Sequence, residues 1–284
     1  MPRPCLVAFA LFALLAPGAH AQSSPGEGVP YVQTPQAVVD KILDLAEVGP
    51  DDFLIDLGSG DGRIVITAAQ KRGARGFGVE LDSSLVEASN EAARKAGVGE
   101  RARFFERDLF ETDISQASVL TMYLLPEVNL QLRPRILAQL KPGTRVVSHD
   151  WDMGEWRPDA KVVLEGLAKP VMPIQASTIY LWIVPAKVAG AWRLQVDGAG
   201  REAAMEIEVE FTQRFQEISG LARRAGGRTL LQSGQLRGPE IRFALIDETQ
   251  RPSVPLQYFG RVYGDTIEGS TSAGRRWRAE RKPL

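Results

Sequence analysis

The most informative segment of the chain reads Phe53-Leu54-Ile55-Asp56-Leu57-Gly58-Ser59-Gly60-Asp61-Gly62-Arg63. A second apolar segment, Ile64 to Ala69, follows it directly. An apolar run, a glycine-rich turn and another apolar run predict a buried strand, a tight loop and a helix. Three glycines in the turn let the backbone bend sharply and approach a ligand closely, because they carry no side chain. The segment therefore predicts a ligand-binding loop between a strand and a helix.

Four acidic residues are expected near this loop. Asp56 ends the first strand, Asp61 lies inside the turn, and Glu80 and Asp108 follow the next two predicted strands. Such acids repel a pyrophosphate and attract a cation. The spacing also differs from the G-x-G-x-x-G pattern of dinucleotide-binding loops, because the third glycine comes one residue early. A carboxylate after the second strand can accept ribose hydroxyls, and one after the third can meet an adenine amine. Together they predict a positively charged nucleoside ligand. Each acid alone could instead be a buried strand-end acid, a solvated side chain or a helix cap.

Short apolar runs alternate with segments of helical period from Thr34 to Pro185, which predicts a mostly parallel sheet built from βα units. The first expected helix is capped by Thr34 and starts at Pro35, with an apolar face of Val38, Val39, Ile42, Leu43 and Ala46. Further helices are expected over Arg63 to Lys71, Ser83 to Ala96 and Pro134 to Leu140. The last has proline at its first position, where no backbone donor is needed. Seven strands fit one open sheet, at Phe53 to Leu57, Gly76 to Leu81, Arg103 to Glu106, Val119 to Leu125, Arg145 to His149, Lys161 to Glu165 and Thr178 to Val184.

After Val188 the helical period gives way to short alternating runs, which predicts a small all-β barrel or sandwich. Gly190-Ala191-Trp192 and Trp277 resemble the opening and closing strands of lipocalin-like barrels. We place this domain at residues 187–284 and the α/β domain at residues 28–186. The expected strands are Trp192 to Val196, Met205 to Phe211, Phe215 to Leu221, Thr229 to Leu236, Ile241 to Ile246, Gln257 to Tyr263 and a closing strand near Trp277.

The composition is that of an ordinary globular protein. Its 284 residues include 34 Lys+Arg and 35 Asp+Glu, and 44% are hydrophobic, which excludes a disordered, collagen-like or multi-span membrane chain. Residues 22–186 hold 17 basic and 23 acidic residues, and residues 187–284 hold 16 and 12. An acidic first part without a basic stripe argues against a nucleic-acid partner. Because Cys5 is the only cysteine and His149 the only histidine after residue 21, we expect no disulfide, thiol chemistry or metal site.

Residues 1–21 have the layout of a cleavable signal peptide. Arg3 precedes an eleven-residue apolar run from Leu6 to Ala16, and Ala19-His20-Ala21 precedes Gln22. The run is shorter than the roughly 20 residues that span a bilayer. We therefore expect a periplasmic or secreted protein without a transmembrane span in the mature chain. The alternative is a membrane anchor formed by an uncleaved N-terminus.

The loop and the later acids resemble the first motifs of the class I S-adenosylmethionine-dependent methyltransferases. DLGSGDGRIVI carries the resemblance across residues 28–186, and VPYVQTP and DLFETD make it similar to the lysine methyltransferase group that includes the ATP synthase c-subunit enzyme. The resemblance implies a Rossmann-like seven-stranded α/β fold, S-adenosylmethionine as methyl donor and a protein lysine as acceptor. It implies donor contacts by Tyr31, Thr34, Asp56, Gly58, Ser59, Gly60, Asp61, Gly62, Glu80 and Asp108, with Glu80 on the ribose and Asp108 near the adenine.

The acceptor side is expected after the fourth and fifth strands. Methyl transfer is an in-line displacement, so the protein has to position the reactants and exclude water. A lysine has to lose its proton before it attacks, and a desolvated pocket lowers its pKa. The region also contains His149, and no single base stands out. The candidate pocket residues are Tyr123, Glu127, Asn129, Asp150 and Trp151.

These observations predict an S-adenosylmethionine-dependent methyltransferase acting on an amine such as a protein lysine. The alternative is an exported nucleoside-binding protein that keeps the methyltransferase fold without turnover. An oxidoreductase is disfavoured by Arg63 and by the acidic loop.

Overall fold

The structure, a computed structural model, describes residues 32–166, 176–198, 203–224, 227–246 and 254–283. Within these ranges no helix combines the length and the apolar character needed to cross a membrane. The predicted signal peptide and Tyr31 lie outside the described residues.

The first sheet has seven strands: β1 (Phe53–Leu57), β2 (Arg75–Glu80), β3 (Ala102–Glu106), β4 (Val119–Met122), β5 (Arg145–His149), β6 (Ala160–Leu164) and β7 (Ser177–Ile183). Their order is β3-β2-β1-β4-β5-β7-β6. The first five strands are parallel, and β7 runs antiparallel to both β5 and β6. This confirms the predicted seven-stranded, Rossmann-like α/β sheet. The strand order reverses between β1 and β4, and ligands bind outside the carboxyl ends of the strands at such a point.

Four helices accompany this sheet: α1 (Gln36–Leu45), α2 (Arg63–Arg72), α3 (Ser83–Lys95) and α4 (Pro126–Gln139). The predicted apolar face of α1 is buried. However, Pro35 takes the N-cap position and no side chain caps the helix, so the expected capping role of Thr34 is absent.

The predicted start of the last helix is wrong. Helix α4 begins at Pro126, which stands in its first turn, and Pro134 lies inside the helix. An internal proline removes one helical hydrogen bond and costs about 3 kcal/mol. Burial of Leu132 and Ile136 in the core beneath α4 offsets that cost.

The second sheet contains β8 (Gly190–Val196), β9 (Met205–Arg214), β10 (Glu217–Arg224), β11 (Gly227–Leu230), β12 (Gln232–Arg237), β13 (Glu240–Ile246), β14 (Pro255–Tyr263), β15 (Thr266–Thr271) and β16 (Arg276–Arg281). Except for β11 and β12, neighbours along the chain pair antiparallel, and β16 pairs with β8. Because β11 and β12 both pair with β10, they share one position in an eight-stranded closed barrel. The barrel, not the sandwich, is therefore the architecture. Strand β15 escaped prediction, and the strand expected at Thr229 to Leu236 is interrupted at Leu231.

Aromatic rings fill the interior of the barrel. The Phe243 and Tyr258 rings stack with centroids 4.9 Å apart, and Trp277 packs edge-on to both at 5.8 Å. Trp192 and Phe211 extend this cluster. Such rings bury large apolar areas and prefer these offset and edge-on geometries.

Candidate functional site

The loop between β1 and α2 turns through the left-handed region. Gly58, Gly60 and Gly62 have φ angles of 74°, 51° and 75°, which residues with a side chain rarely adopt. The backbone amides of Gly58 and Ser59 both donate to the Val79 carbonyl, at 3.0 and 2.9 Å. The loop is thereby fixed to the carboxyl end of β2.

Protein atoms surround two of these glycines closely. A Cβ atom at Gly58 would lie 2.8 Å from Leu124 Cδ2, and one at Gly62 would lie 2.5 Å from Phe104 Cζ. The sequence pattern predicts glycine here because a ligand approaches the backbone closely. The structure adds that their φ angles and the packing of Leu124 and Phe104 already require glycine at both positions.

Asp56 is the buried carboxyl group of the site. It is 2% exposed, and its Oδ1 accepts a hydrogen bond from Thr121 Oγ1 of β4 at 2.7 Å. Burial raises the pKa of Asp56 to about 7; the Thr121 hydrogen bond opposes this rise, while the charges of Glu80 and Asp61 add to it. A cation bound beside Asp56 would stabilise its ionised form.

Glu80 links the end of β2 to the glycine loop. Its Oε2 accepts from the Gly60 amide at 3.0 Å, and its Oε1 accepts from the Leu81 amide at 2.8 Å. Asp61 is instead engaged by Arg63, whose Nε donates to Asp61 Oδ1 at 2.8 Å. The carboxylates of Asp56, Glu80 and Asp61 therefore lie around one loop, and Asp61 is already ion-paired.

Ser59 and Asp108 complete the predicted donor residues on this edge. Ser59 Oγ is buried and has no hydrogen-bond partner among the described atoms, as expected of a group that serves a ligand. Asp108 follows β3 and is half-buried. One of its carboxylate oxygens accepts from the Phe110 amide at 2.7 Å, so Asp108 shapes a turn after β3 and is not a helix cap.

The segment before α1 crosses the carboxyl ends of two strands. The Thr34 carbonyl accepts from Arg63 Nη1 at 2.7 Å, and Thr34 Oγ1 lies 3.3 Å from His149 Nδ1. Thr34 is thus buried between the glycine-loop side and the end of β5. No local pattern in the sequence indicated its contact with His149.

Two of the predicted acceptor residues meet directly. Tyr123 follows β4 and donates its hydroxyl proton to Asp150 Oδ2 at 3.0 Å. Its ring lies 4.0 Å, centroid to centroid, from the buried His149 ring. Asp150 has a φ of 63°, and its Oδ1 accepts from the Thr178 amide at 2.9 Å. Burial and the negative charge of Asp150 raise the pKa of the Tyr123 hydroxyl, so that hydroxyl remains a donor.

The other three candidates differ from one another. Asn129 of α4 is fully buried, and its Nδ2 donates to Ser148 Oγ at 3.0 Å and to the Trp151 carbonyl at 3.1 Å. Trp151 is partly exposed. Glu127 is exposed in the first turn of α4, and its side chain forms no hydrogen bond or ion pair with any residue in the described ranges. The structure therefore groups Tyr123, Asp150 and Trp151, with Asn129 beneath them, and leaves Glu127 apart.

The site thus has a negatively charged half and an aromatic half at the carboxyl ends of the parallel strands. Its acids favour a cationic ligand, and its glycine loop offers backbone amides to that ligand. This sheet and this loop define a class I S-adenosylmethionine-dependent methyltransferase.

Comparisons with known proteins agree with this class. The ANTKMT methyltransferase domain matches residues 56–160. A protein-lysine N-methyltransferase from Saccharolobus islandicus is 41% identical over 157 residues, 55% of this chain and 94% of the relative. The human lysine N-methyltransferase of the ATP synthase c-subunit is 39% identical over 106 residues, which are 37% of this chain and 45% of the relative.

Among solved structures, an RNA methyltransferase from Salinibacter ruber in complex with S-adenosyl-L-homocysteine is 52% identical, with a TM-score of 0.51. The match covers 55% of this chain and 96% of that one. The chain belongs to the family of S-adenosylmethionine-dependent methyltransferases that includes the Saccharolobus enzyme. Its methyl donor is S-adenosylmethionine, and nothing supports the alternative of a binding protein without turnover.

Proposed function

We propose that this methyltransferase acts on the side-chain amine of a protein lysine. The observation that carries the proposal is the hydrogen bond from the Tyr123 hydroxyl to Asp150 Oδ2, 3.0 Å long, at the carboxyl ends of β4 and β5. A carboxylate beside aromatic rings suits an ammonium group. The Saccharolobus and human relatives, both named as lysine methyltransferases, support the same acceptor.

On the donor side, we assign the methionine part to Asp56 and the loop Gly58–Gly62, the ribose to Glu80 and the adenine region to Asp108. Tyr31 and Thr34 would close over the donor. S-adenosylmethionine supplies an electrophilic methyl group on a sulfonium. Two observations support this arrangement. The buried Ser59 Oγ lacks a hydrogen-bond partner among the described residues, and a polar group of the donor would supply one. The raised pKa of Asp56 indicates that its carboxylate lacks a neighbouring positive charge in the described part of the chain, and the donor would supply that charge.

On the acceptor side, Asp150 attracts the lysine ammonium and Tyr123 holds the carboxylate in place. Exclusion of water around Tyr123 and Trp151 favours the neutral amine. The lysine ammonium first passes one proton to Asp150. The neutral nitrogen then attacks the methyl carbon in line, so that the N–C bond forms as the S–C bond breaks and the donor leaves as S-adenosylhomocysteine. The remaining work of the protein is to hold the nitrogen in line with the methyl group.

A transfer assay with radiolabelled S-adenosylmethionine tests this proposal. Poly-L-lysine and ribosomal RNA serve as two defined acceptors, and Asp150→Asn is compared with Glu165→Gln, an exposed acid just after β6. We expect label in poly-L-lysine and a loss of kcat of about 100-fold in Asp150→Asn, with unchanged donor affinity. Label in the RNA alone would overturn the lysine assignment, and equal activity of the two variants would overturn the role of Asp150.

We also propose that residues 1–21 are a cleaved signal peptide and that the enzyme is exported. The support is the sequence layout of Arg3, the apolar run and Ala19-His20-Ala21. Mass spectrometry of the protein purified from fractionated cells is expected to find Gln22 as the N-terminus in the periplasmic or secreted fraction. An intact Met1 in the membrane fraction would support the anchor instead.

A further inference from the structure

Three hairpins of the barrel share one turn geometry. Arg214 pairs with Glu217, Arg237 with Glu240 and Tyr263 with Thr266, so each turn has two residues. The first turn residue has a positive φ in all three, at 55°, 59° and 63°. Glycine is the usual residue there. Two of the turns do use glycine, but the hairpin between β9 and β10 uses Phe215.

A bulky residue at positive φ is a backbone outlier and is strained. Such strain persists where the side chain is needed elsewhere in the structure. At the turn of Gly264, a Cβ atom would find nothing within 4 Å. The ring of Phe215, in contrast, contacts two side chains of the α/β domain.

One of these groups is Trp156, which is fully buried and stacks on Phe215 with an angle of 16° and a centroid distance of 6.2 Å. The other is Arg133 of α4, whose guanidinium carbon lies 5.4 Å from the centre of the Phe215 ring. Arg133 Nη1 also donates to the Met153 carbonyl at 2.8 Å. Phe215 thus contacts the loop after β5 both directly and through Arg133.

The next turn residue holds the same loop. Gln216 is 7% exposed, and its Nε2 donates to the Arg157 carbonyl at 2.7 Å. At the edge of the contact, Arg214 Nη2 lies 2.9 Å from Glu155 Oε1. Residues 151–157, which follow Asp150 directly, are therefore held by α4 on one side and by the barrel turn on the other.

We propose that Phe215 and Gln216 are positioning residues, through which the barrel fixes the acceptor-side loop of the methyltransferase. The inference rests on the proposed function, because Asp150 and Trp151 stand at the start of this loop. The barrel takes part in the reaction by setting where the acceptor meets the donor. The strain at Phe215 is the energetic cost of that ring.

Phe215→Gly separates positioning from stability, because glycine accepts the turn's φ and only the ring is lost. The matched control is Phe259→Ala, which removes a 48% exposed ring from β14; Phe215→Tyr keeps the ring. Three quantities are measured on the full chain: amide hydrogen exchange of residues 151–157, calorimetric Kd for S-adenosylhomocysteine, and kcat and KM for poly-L-lysine.

For Phe215→Gly we expect exchange in residues 151–157 to rise several-fold and kcat/KM for poly-L-lysine to fall about tenfold or more, with Kd changed less than about twofold. Phe215→Tyr and Phe259→Ala are expected to behave like the unaltered protein. Unchanged loop exchange would overturn the inference, as would a rise in Kd as large as the fall in kcat/KM. If the unaltered protein binds S-adenosylhomocysteine without methylating poly-L-lysine, the lysine proposal fails, and the exchange comparison still decides the positioning role.

Discussion

Among single residues, Asp56 dominates the electrostatics of the donor site. It is buried beside Glu80 and Asp61, and its one observed side-chain donor is Thr121. A buried carboxyl with too few partners is unfavourable when ionised. The donor-free protein therefore keeps a destabilising group at the place where we propose that the cationic donor binds.

The pH dependence of stability follows from this pKa. The folded pKa of Asp56, about 7, lies above its ordinary value of 3.8, so the unfolded chain releases this proton first as the pH rises. Stability is then lost between about pH 4 and pH 7 and levels off above. Asp56→Asn, which keeps an acceptor for Thr121, is expected to raise the free energy of unfolding at pH 7.5 by roughly 3–5 kcal/mol.

Urea unfolding of the donor-free protein at pH 5 and pH 7.5 measures this effect. Asp51→Asn, at an exposed position just before β1, is the control and should leave both values unchanged. The account of Asp56 is contradicted if the unaltered protein and Asp56→Asn show the same difference between the two pH values.

The placement of the acids could be predicted because the carboxyl ends of parallel strands share one edge of a sheet. The hydrogen-bond partners of these acids could not be predicted from the sequence. Thr121 contacts Asp56 because the two residues lie opposite each other in the pairing of β4 with β1. The register of that pairing cannot be inferred from the apolar sequence of the strands. The approach of Thr34 to His149 joins positions 115 residues apart, which no local pattern encodes.

Among the elements, α4 connects the sheet to the acceptor-side loop. Asn129 reaches the carbonyls of Trp151 and Asp152 at 3.1 and 3.4 Å, and Arg133 reaches that of Met153. One face of the helix thus satisfies backbone acceptors in the loop that an apolar face would leave unpaired.

Asn129→Ala tests this role of α4. Loss of its buried hydrogen bonds should lower the free energy of unfolding by about 1–3 kcal/mol and reduce methyl transfer more than donor affinity. Gln131→Ala, at an exposed position of the same helix, should change neither. Chemical denaturation and calorimetric titration with S-adenosylhomocysteine provide the two readouts, and equal behaviour of both variants would exclude the role.

Element types were predictable where the apolar period was strong, as in β1 and α1. The start of α4 could not be predicted, because Pro126 and Pro134 both satisfy the rule for a first-turn proline. The burial of Leu132, which lies between them, favours a helix that begins at Pro126. Strand β15 was missed because Thr266–Thr271 has few apolar residues. Its pairing with β14 and β16 makes it a strand.

In the whole molecule, closure of the barrel depends on β16. Arg281 lies with its guanidinium carbon 4.4 Å from the centre of the Trp192 ring, and it donates to the carbonyls of Ala189 and Lys187 at 2.6 and 2.7 Å. These contacts join the last strand to the segment that leads into the first. The closing strand predicted near Trp277 is β16, in which Trp277 pairs with Val196 of β8 and belongs to the aromatic interior.

Arg281→Ala should therefore destabilise the barrel by about 2–4 kcal/mol, from the lost cation–π contact and charged hydrogen bonds. Arg276→Ala is the matched control on the same strand, because the Arg276 side chain is 87% exposed and exposed ion pairs contribute little. Thermal unfolding followed by tryptophan fluorescence compares them. An equal shift of the unfolding temperature in both variants would show that closure of the barrel does not depend on Arg281.

The central claim is that the acidic glycine loop holds the methyl donor, and a crystal structure with S-adenosylhomocysteine at millimolar concentration tests it most directly. The account predicts the product's ribose hydroxyls within hydrogen-bond distance of the Glu80 carboxylate and its amino acid end against Gly58–Gly60. A product bound at any other place, with Glu80 and the loop unliganded, would contradict it.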